Sequence, residues 1–231
     1  MIKKLLASAT HLFYPHLCIG CGNDLLSHDA LLCLGCINEL PHTGYETYPN
    51  NPLERMFVGR LKLVAATSGF YFAKGELIQV LVHDLKYNGN KEAGFYLSEM
   101  MGENLLKSNR FNNIDHLIPL PLFADKEYKR GFNQAEVICK GLSNTMNVPV
   151  MAKNVVRIRF TETQTKKHRT ERWDNVNESF KVMDESVLKN KHILLVDDVI
   201  TTGATLDACA QVINTIEGIR ISIATLTTAS K

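Results

Sequence analysis

No run of apolar residues in this chain approaches the ~18 needed to cross a bilayer, so a membrane span is not expected. An excess of either charge is missing too: 26 Lys and Arg stand against 24 Asp and Glu, a formal net charge of +2. That balance permits a local basic patch but gives no overall field that argues for nucleic acid. Internal repeats and low-complexity segments are absent, which excludes a repeat array or a compositional tail. The start, Met1-Ile-Lys-Lys-Leu-Leu-Ala-Ser-Ala, has a basic tip and a mimic of a cleavage site. Only Leu5-Leu6 lies between them, too short for the apolar region of a signal peptide, and a cytoplasmic location is expected. What is present is ordinary globular usage: 45% hydrophobic and 22% charged over 231 residues. That bounds the chain to one sizeable core with a small appendage.

The six cysteines are unevenly spread. Four form the pairs Cys18-Ile-Gly-Cys21 and Cys33-Leu-Gly-Cys36, with eleven residues between them. Each pair can turn two thiolates onto one ion, and four thiolates make a tetrahedral zinc site. The gap is shorter than the commonest ribbon spacing, so a small knuckle-like module with structural Zn²⁺ is expected. Two disulfides are the rival, but nothing else in the sequence suggests an oxidising compartment. Cys139 and Cys209 fall in helical patterns and read as core.

Apolar residues recur at helical spacing over Ile2–Phe13, leading into the cysteine module. Residues 46–60, with Pro49, Asn50-Asn51 and Pro52, read as a linker. Beyond them the pattern alternates. Strands are expected at Leu63–Phe72, Ile114–Leu122, Ile193–Val196 and Ile219–Leu226. Helices are expected at Glu76–Lys86, Ala93–Lys107, Asn133–Met146 and Ala204–Ile216. Strands alternating with helices predict a parallel α/β sheet flanked by helices. The expected domains are therefore residues 1–45, a linker over 46–60, and 61–231.

The densest chemistry lies in His192-Ile-Leu-Leu-Val-Asp-Asp-Val-Ile-Thr-Thr-Gly-Ala-Thr205. A short apolar run predicts a central parallel strand, with Asp197 and Asp198 at its carboxyl end, where open α/β sheets place ligands. Thr201, Thr202, Gly203, Ala204 and Thr205 then offer hydroxyls and free N–H groups at a helix start, a cradle for phosphate. Carboxylates accept from vicinal hydroxyls. Acids and a phosphate nest a few residues apart describe a ribose 5-phosphate. The stretch resembles the phosphoribosyl pyrophosphate (PRPP) signature of type I phosphoribosyltransferases, matched from Ile193 to Thr205 without departure. The fold this resemblance implies is a type I phosphoribosyltransferase-like parallel sheet.

Three other segments suit anions. Arg130-Gly131 precede Asn133, an N-cap with Glu136 three residues on, as in a capping box. Thr161–Arg172 lacks a hydrophobic period and carries Lys166, Lys167, Arg169 and Arg172, a polar loop able to fold over a pyrophosphate. Lys86 closes the expected helix from Glu76. Solvated surface charge is the alternative for each.

In combination, Cys18/Cys21/Cys33/Cys36, Leu85-Lys86-Tyr87 with Gly89, Pro119-Leu-Pro121, Arg130-Gly-Phe-Asn-Gln134, Thr163-Gln164 with Arg169, and the PRPP signature resemble the competence protein F (ComF) family over nearly the whole chain. The resemblance implies PRPP binding with Mg²⁺, with Lys86, Arg130, Gly131 and the Asp197–Thr205 stretch as ligand residues. Lys166 and Arg169 are then the expected catalytic side chains. It further implies a part in uptake of single-stranded DNA, with the uptake machinery as partner. Two classes stay open: a phosphoribosyltransferase acting on PRPP, and a non-catalytic single-stranded-DNA-binding or interaction module that keeps the PRPP fold.

Overall fold

The computed structural model describes residues 16–24, 30–73, 75–87, 89–158 and 179–229. The helix expected over Ile2–Phe13 and the basic segment Thr161–Arg172, with Lys166 and Arg169, lie outside them. The backbone is organised by β5 (His192–Ile200), whose residues Ile193 to Val196 are fully buried. It is flanked in parallel by β6 (Arg220–Ala229) on one side and β2 (His116–Pro119) on the other. β1 (Ala66–Phe72) adds to β6, again in parallel, giving the order β1-β6-β5-β2.

Strands covered on both faces read as continuous apolar runs, and β5 shows why. Leu194 and Val196 enter one core, beneath α3 (Leu77–Tyr87), α4 (Lys91–Lys107) and α6 (Gln134–Met146). Ile193 and Leu195 enter the other, beneath α7 (Ala204–Ile213). The α4–α6 contact is close because small residues form it. A Cβ on Gly141 would lie 2.5 Å from the carbonyl oxygen of Phe95.

Several expected boundaries move for identifiable reasons. β2 is shorter than Ile114–Leu122 because Pro119 and Pro121 cannot donate to a ladder. β5 does not stop at Val196 but runs through both acids to Ile200, because Asp197 and Val199 pair with Thr225 and Thr227. A helix absent from the expectations, α5 (Ala124–Arg130), fills the space before α6 and is closed by Gly131 at φ 78°. An antiparallel pair, β3 (Val155–Arg157) and β4 (Phe180–Val182), was likewise not expected.

Residues 46–60 correct the linker expectation. They carry α2 (Pro52–Arg55) and bury Leu53 and Phe57 against the α7 side of the sheet. Fully buried Asn51 accepts from the Glu54 N–H and donates to the carbonyls of Tyr45 (2.9 Å) and Ala66 (2.8 Å). Proline and asparagine mark a turn whether or not it is docked; here a satisfied amide docks it. The cysteine module, with α1 (Leu34–Asn38), joins the α3/α4/α6 core through Cys18, Leu32, Cys36 and Leu40.

Candidate functional site at the carboxyl edge of the sheet

All four strands run the same way, so their carboxyl ends share one edge, and the β5–α7 turn lies there. Gly203 is the hinge of that turn, at φ 73° and serving as N-cap of α7 without a side-chain cap. The exposed Thr201, Thr202, Ala204 and Thr205 flank it, and Thr202 Oγ1 accepts from the Ala204 N–H at 3.4 Å. The turn and Asp197 together line a small cavity of about 50 Å³. With no Asp, Asn, Ser or Thr at the N-cap, the N-cap residue offers no side chain to the first N–H groups of α7. That is the ordinary chemistry of an anion cradle.

The two acids differ. Asp198 forms an ion pair with Lys86 Nζ at 3.0 Å, both side chains mostly shielded from solvent. Asp197 accepts from the Asp198 N–H at 2.8 Å. Burial, then the neighbouring Asp198 charge, pushes the Asp197 carboxyl well above the usual carboxylate range; the Asp198 N–H and Lys86 act in the opposite sense. A group held in this way is a candidate for function rather than surface decoration.

Lys86 and Arg130, far apart in sequence, meet around Tyr87. The Arg130 guanidinium lies 5.8 Å from the Tyr87 ring centroid and donates to Gln134 Oε1 at 2.8 Å. Asn133 caps α6 as expected, accepting from the Ala135 N–H at 3.0 Å. The Glu136 carboxylate does not complete the capping box; it pairs with Lys140 at 2.9 Å. The fold therefore brings Lys86 onto Asp198, beside Asp197 and the Thr201–Thr205 turn, and sets Arg130 against Tyr87, the neighbour of Lys86.

The cysteines form a second, separate cluster. The sulfurs of Cys18, Cys21, Cys33 and Cys36 all lie within 4.8 Å of one another. Cys21 and Cys33 are 3.6 Å apart, and the Cys33 N–H donates to Cys18 Sγ at 3.2 Å. A tetrahedral ion bonded at ~2.3 Å needs sulfurs roughly 3.8 Å apart, a value these separations bracket. Burial works against ionisation of Cys18, yet N–H donors at Cys21, Cys33 and Gly20 outweigh it and bring its thiol down to about 6. Gly20 is required: a Cβ there would lie 2.9 Å from Cys36 Sγ. The cluster could hold one metal ion. Cys139 and Cys209, both buried with thiols pushed up by burial, are core residues as expected.

One residue near the site escaped sequence reasoning. Arg157, on β3, stacks on Phe123 at 3.8 Å and Phe180 at 5.1 Å and lines a cavity with Thr205. Its only signal was a basic residue in a short β-branched run, and without β3 and β4 nothing placed it here.

Residues 130–231 match the family described as phosphoribosyl transferase domain. The chain is 24% identical over 216 residues to competence protein F of Haemophilus influenzae, covering 87% of this chain and 92% of that protein. The chain thus has relatives named competence proteins and matches the phosphoribosyl transferase domain family over residues 130–231. Other relatives cover less. DNA utilization protein YhgH of Salmonella typhi is 28% identical over 139 residues, 59% of this chain and 60% of its own length. Competence protein ComFC of Bacillus subtilis is 35% identical over 95 residues, 41% of this chain and 36% of its own. Among the described residues, no helix is long and apolar enough to cross a membrane.

Proposed function

We propose that this protein is of the ComF type, binds PRPP with Mg²⁺ at the carboxyl edge of its sheet and acts in the handling of DNA taken up during natural transformation. The observation that carries the reading is the pair Asp197-Asp198 running directly into the Gly203 turn, with Lys86 bound to Asp198 at 3.0 Å. In this reading the N–H groups and hydroxyls of Thr201 to Thr205 take the 5-phosphate, and the acids take the ribose hydroxyls. Arg130, Gly131 and Lys86 face the pyrophosphate. Magnesium keeps most of its waters and binds through substrate phosphates, so it requires no protein cage. The four thiols hold Zn²⁺ in a purely structural role, which their separations support.

Transfer of the ribosyl group would pass through an oxocarbenium-like transition state, stabilised by positioning and by neutralising the departing pyrophosphate. Lys166 and Arg169 are the side chains proposed for that second task. The names of the relatives favour a second reading, a binding module without turnover: competence protein and DNA utilization protein both denote DNA handling rather than a nucleotide product. Pyrophosphate release from Mg²⁺-PRPP, assayed with nucleobases, amines and single-stranded DNA as acceptors, separates the two. Release above the buffer rate establishes an enzyme, and tight PRPP binding with no release establishes the module. Absence of PRPP binding overturns the first and leaves the second only as a DNA-binding or interaction module.

A further inference from the structure

Arg157 is held in an unusual manner. Phe123, from the segment between β2 and α5, stacks on its guanidinium at 3.8 Å, and Phe180, on β4, at 5.1 Å. Stacking engages the faces of the planar group and leaves the five in-plane N–H donors to find acceptors. Among the described residues they find none. Nε is buried without a hydrogen-bond partner, and among the described residues no carboxylate lies within ion-pair distance of the guanidinium. A partly buried cation without an anion is costly, and such groups persist where something else supplies the charge. Burial indeed pulls Arg157 below the usual arginine range, with Cys209 and Asp197 acting the other way.

The space beside this arginine shows where an anion would go. A cavity of about 80 Å³ is lined by Arg157, Ser179, Phe180, Ala204, Thr205 and Ala208. It shares Ala204 and Thr205 with the cavity over Asp197 and the Gly203 turn. The arginine therefore borders the phosphate cradle through the first turn of α7. It arrives there from β3, outside the signature itself.

We infer that Arg157 is a phosphate-binding residue, its fork of N–H groups taking the 5-phosphate monoester of the ligand alongside the N–H groups of the Thr201–Thr205 turn. This rests on the ribose 5-phosphate reading of the site above. It adds a specificity: a ligand must carry a terminal phosphate at the α7 end to draw on Arg157, whereas pyrophosphate held near Lys86 and Arg130 does not reach it. The aromatic clamp fixes the fork before the ligand arrives, which lowers the ordering cost of binding.

The test uses the full chain and two probes, ribose 5-phosphate and Mg²⁺-pyrophosphate, titrated calorimetrically. Charge-assisted hydrogen bonds of this kind set the expected scale: Arg157→Gln weakens ribose 5-phosphate by about 10- to 100-fold and leaves pyrophosphate unchanged. Arg157→Lys, which keeps the charge but not the fork, recovers part of the loss. Equal ribose 5-phosphate affinity in Arg157→Gln and wild type overturns the inference. So does a parallel loss of both probes, which a merely structural arginine would produce. Should Arg157→Gln fail to fold, phenylglyoxal labelling of the wild type decides: Arg157 is protected by ribose 5-phosphate but not by pyrophosphate, and equal labelling overturns the assignment. If wild type binds neither ribose 5-phosphate nor PRPP, the reading of the whole site falls, a result distinct from failure of Arg157 alone.

Discussion

The cysteine module and the carboxyl edge of the sheet both concentrate ionisable side chains, yet they are stabilised in opposite ways. At the sheet edge the scaffold is held by the protein's own contacts. β5 is buried on both faces, Gly203 holds the turn, and Asp197 and Asp198 are fixed by an N–H and by Lys86. The cysteine module gives Cys18, Leu32, Cys36 and Leu40 to the core but has little regular structure of its own. Its α1 spans only Leu34–Asn38, and among its cysteines Cys21 is exposed and Cys33 half-buried. So short a segment gains little from its own burial, and an ion bound by four thiolates would supply the missing stability. One region is held by the protein's own contacts. The other carries four thiols that could hold a metal ion.

The largest expected effect comes from breaking the second region. Four-thiolate zinc sites carry on the order of 10–16 kcal/mol of apparent binding energy. Cys33→Ser should therefore release the metal, read as one zinc per chain falling to none by elemental analysis, and residues near Cys18 to Cys36 should lose hydrogen-exchange protection. The β5 amides should keep theirs. Loss of protection throughout the sheet would show that the two regions are not separable.

Gly203→Ala attacks the first region without touching a charge. A left-handed conformation costs a residue with a Cβ about 1–2 kcal/mol, and here the Cβ would also lie 3.1 Å from the Phe57 ring. Denaturant titration should show a loss of at least that size.

Acid should act on the sheet itself. His192 is 2% exposed, its Nε2 sits 2.9 Å from Ser222 Oγ, and its Nδ1 is buried without a partner. Burial, then the charge on Arg220, holds its pKa below the ordinary value. The unfolded chain takes up a proton near pH 6.5 and the folded chain only at lower pH, so the stability present above ~6.5 is lost as pH falls below it. The slope approaches about 1.4 kcal/mol per pH unit while His192 stays neutral, and His192→Asn should flatten it. The smallest effect concerns Asp197, whose raised carboxyl accepts more strongly from a ribose hydroxyl once it is ionised. PRPP affinity should accordingly rise with pH until that carboxyl is fully ionised, with a proton released on binding in buffers of different ionisation enthalpy.

Much of this was legible in the sequence, and the rest has identifiable causes. A strand buried on both faces shows itself as an uninterrupted apolar run, which is why Ile193–Val196 stood out. The cysteine spacing and the Asp197–Thr205 stretch are local patterns, so their chemistry could be read before their geometry. What stayed hidden depends on contacts distant in sequence. Residues 46–60 look like a linker until Asn51 is seen bonded to the carbonyl of Ala66. The exact end of β5 depends on its pairing with β6, and Asp197 and Asp198 lie inside the strand for that reason. Arg157 is invisible without Phe123 and Phe180, which reach it from other segments.

Titration of Mg²⁺-PRPP into wild type, Asp197→Ala/Asp198→Ala and Cys33→Ser tests the contrast between the two regions most directly. Hydrogen bonds to charged groups contribute about 1.5–3 kcal/mol each, so the double variant should bind roughly two to four decades more weakly. Cys33→Ser, stripped of its metal, should bind as wild type does. Equal affinity in the double variant, or a loss in Cys33→Ser as large as in the double variant, would contradict the account.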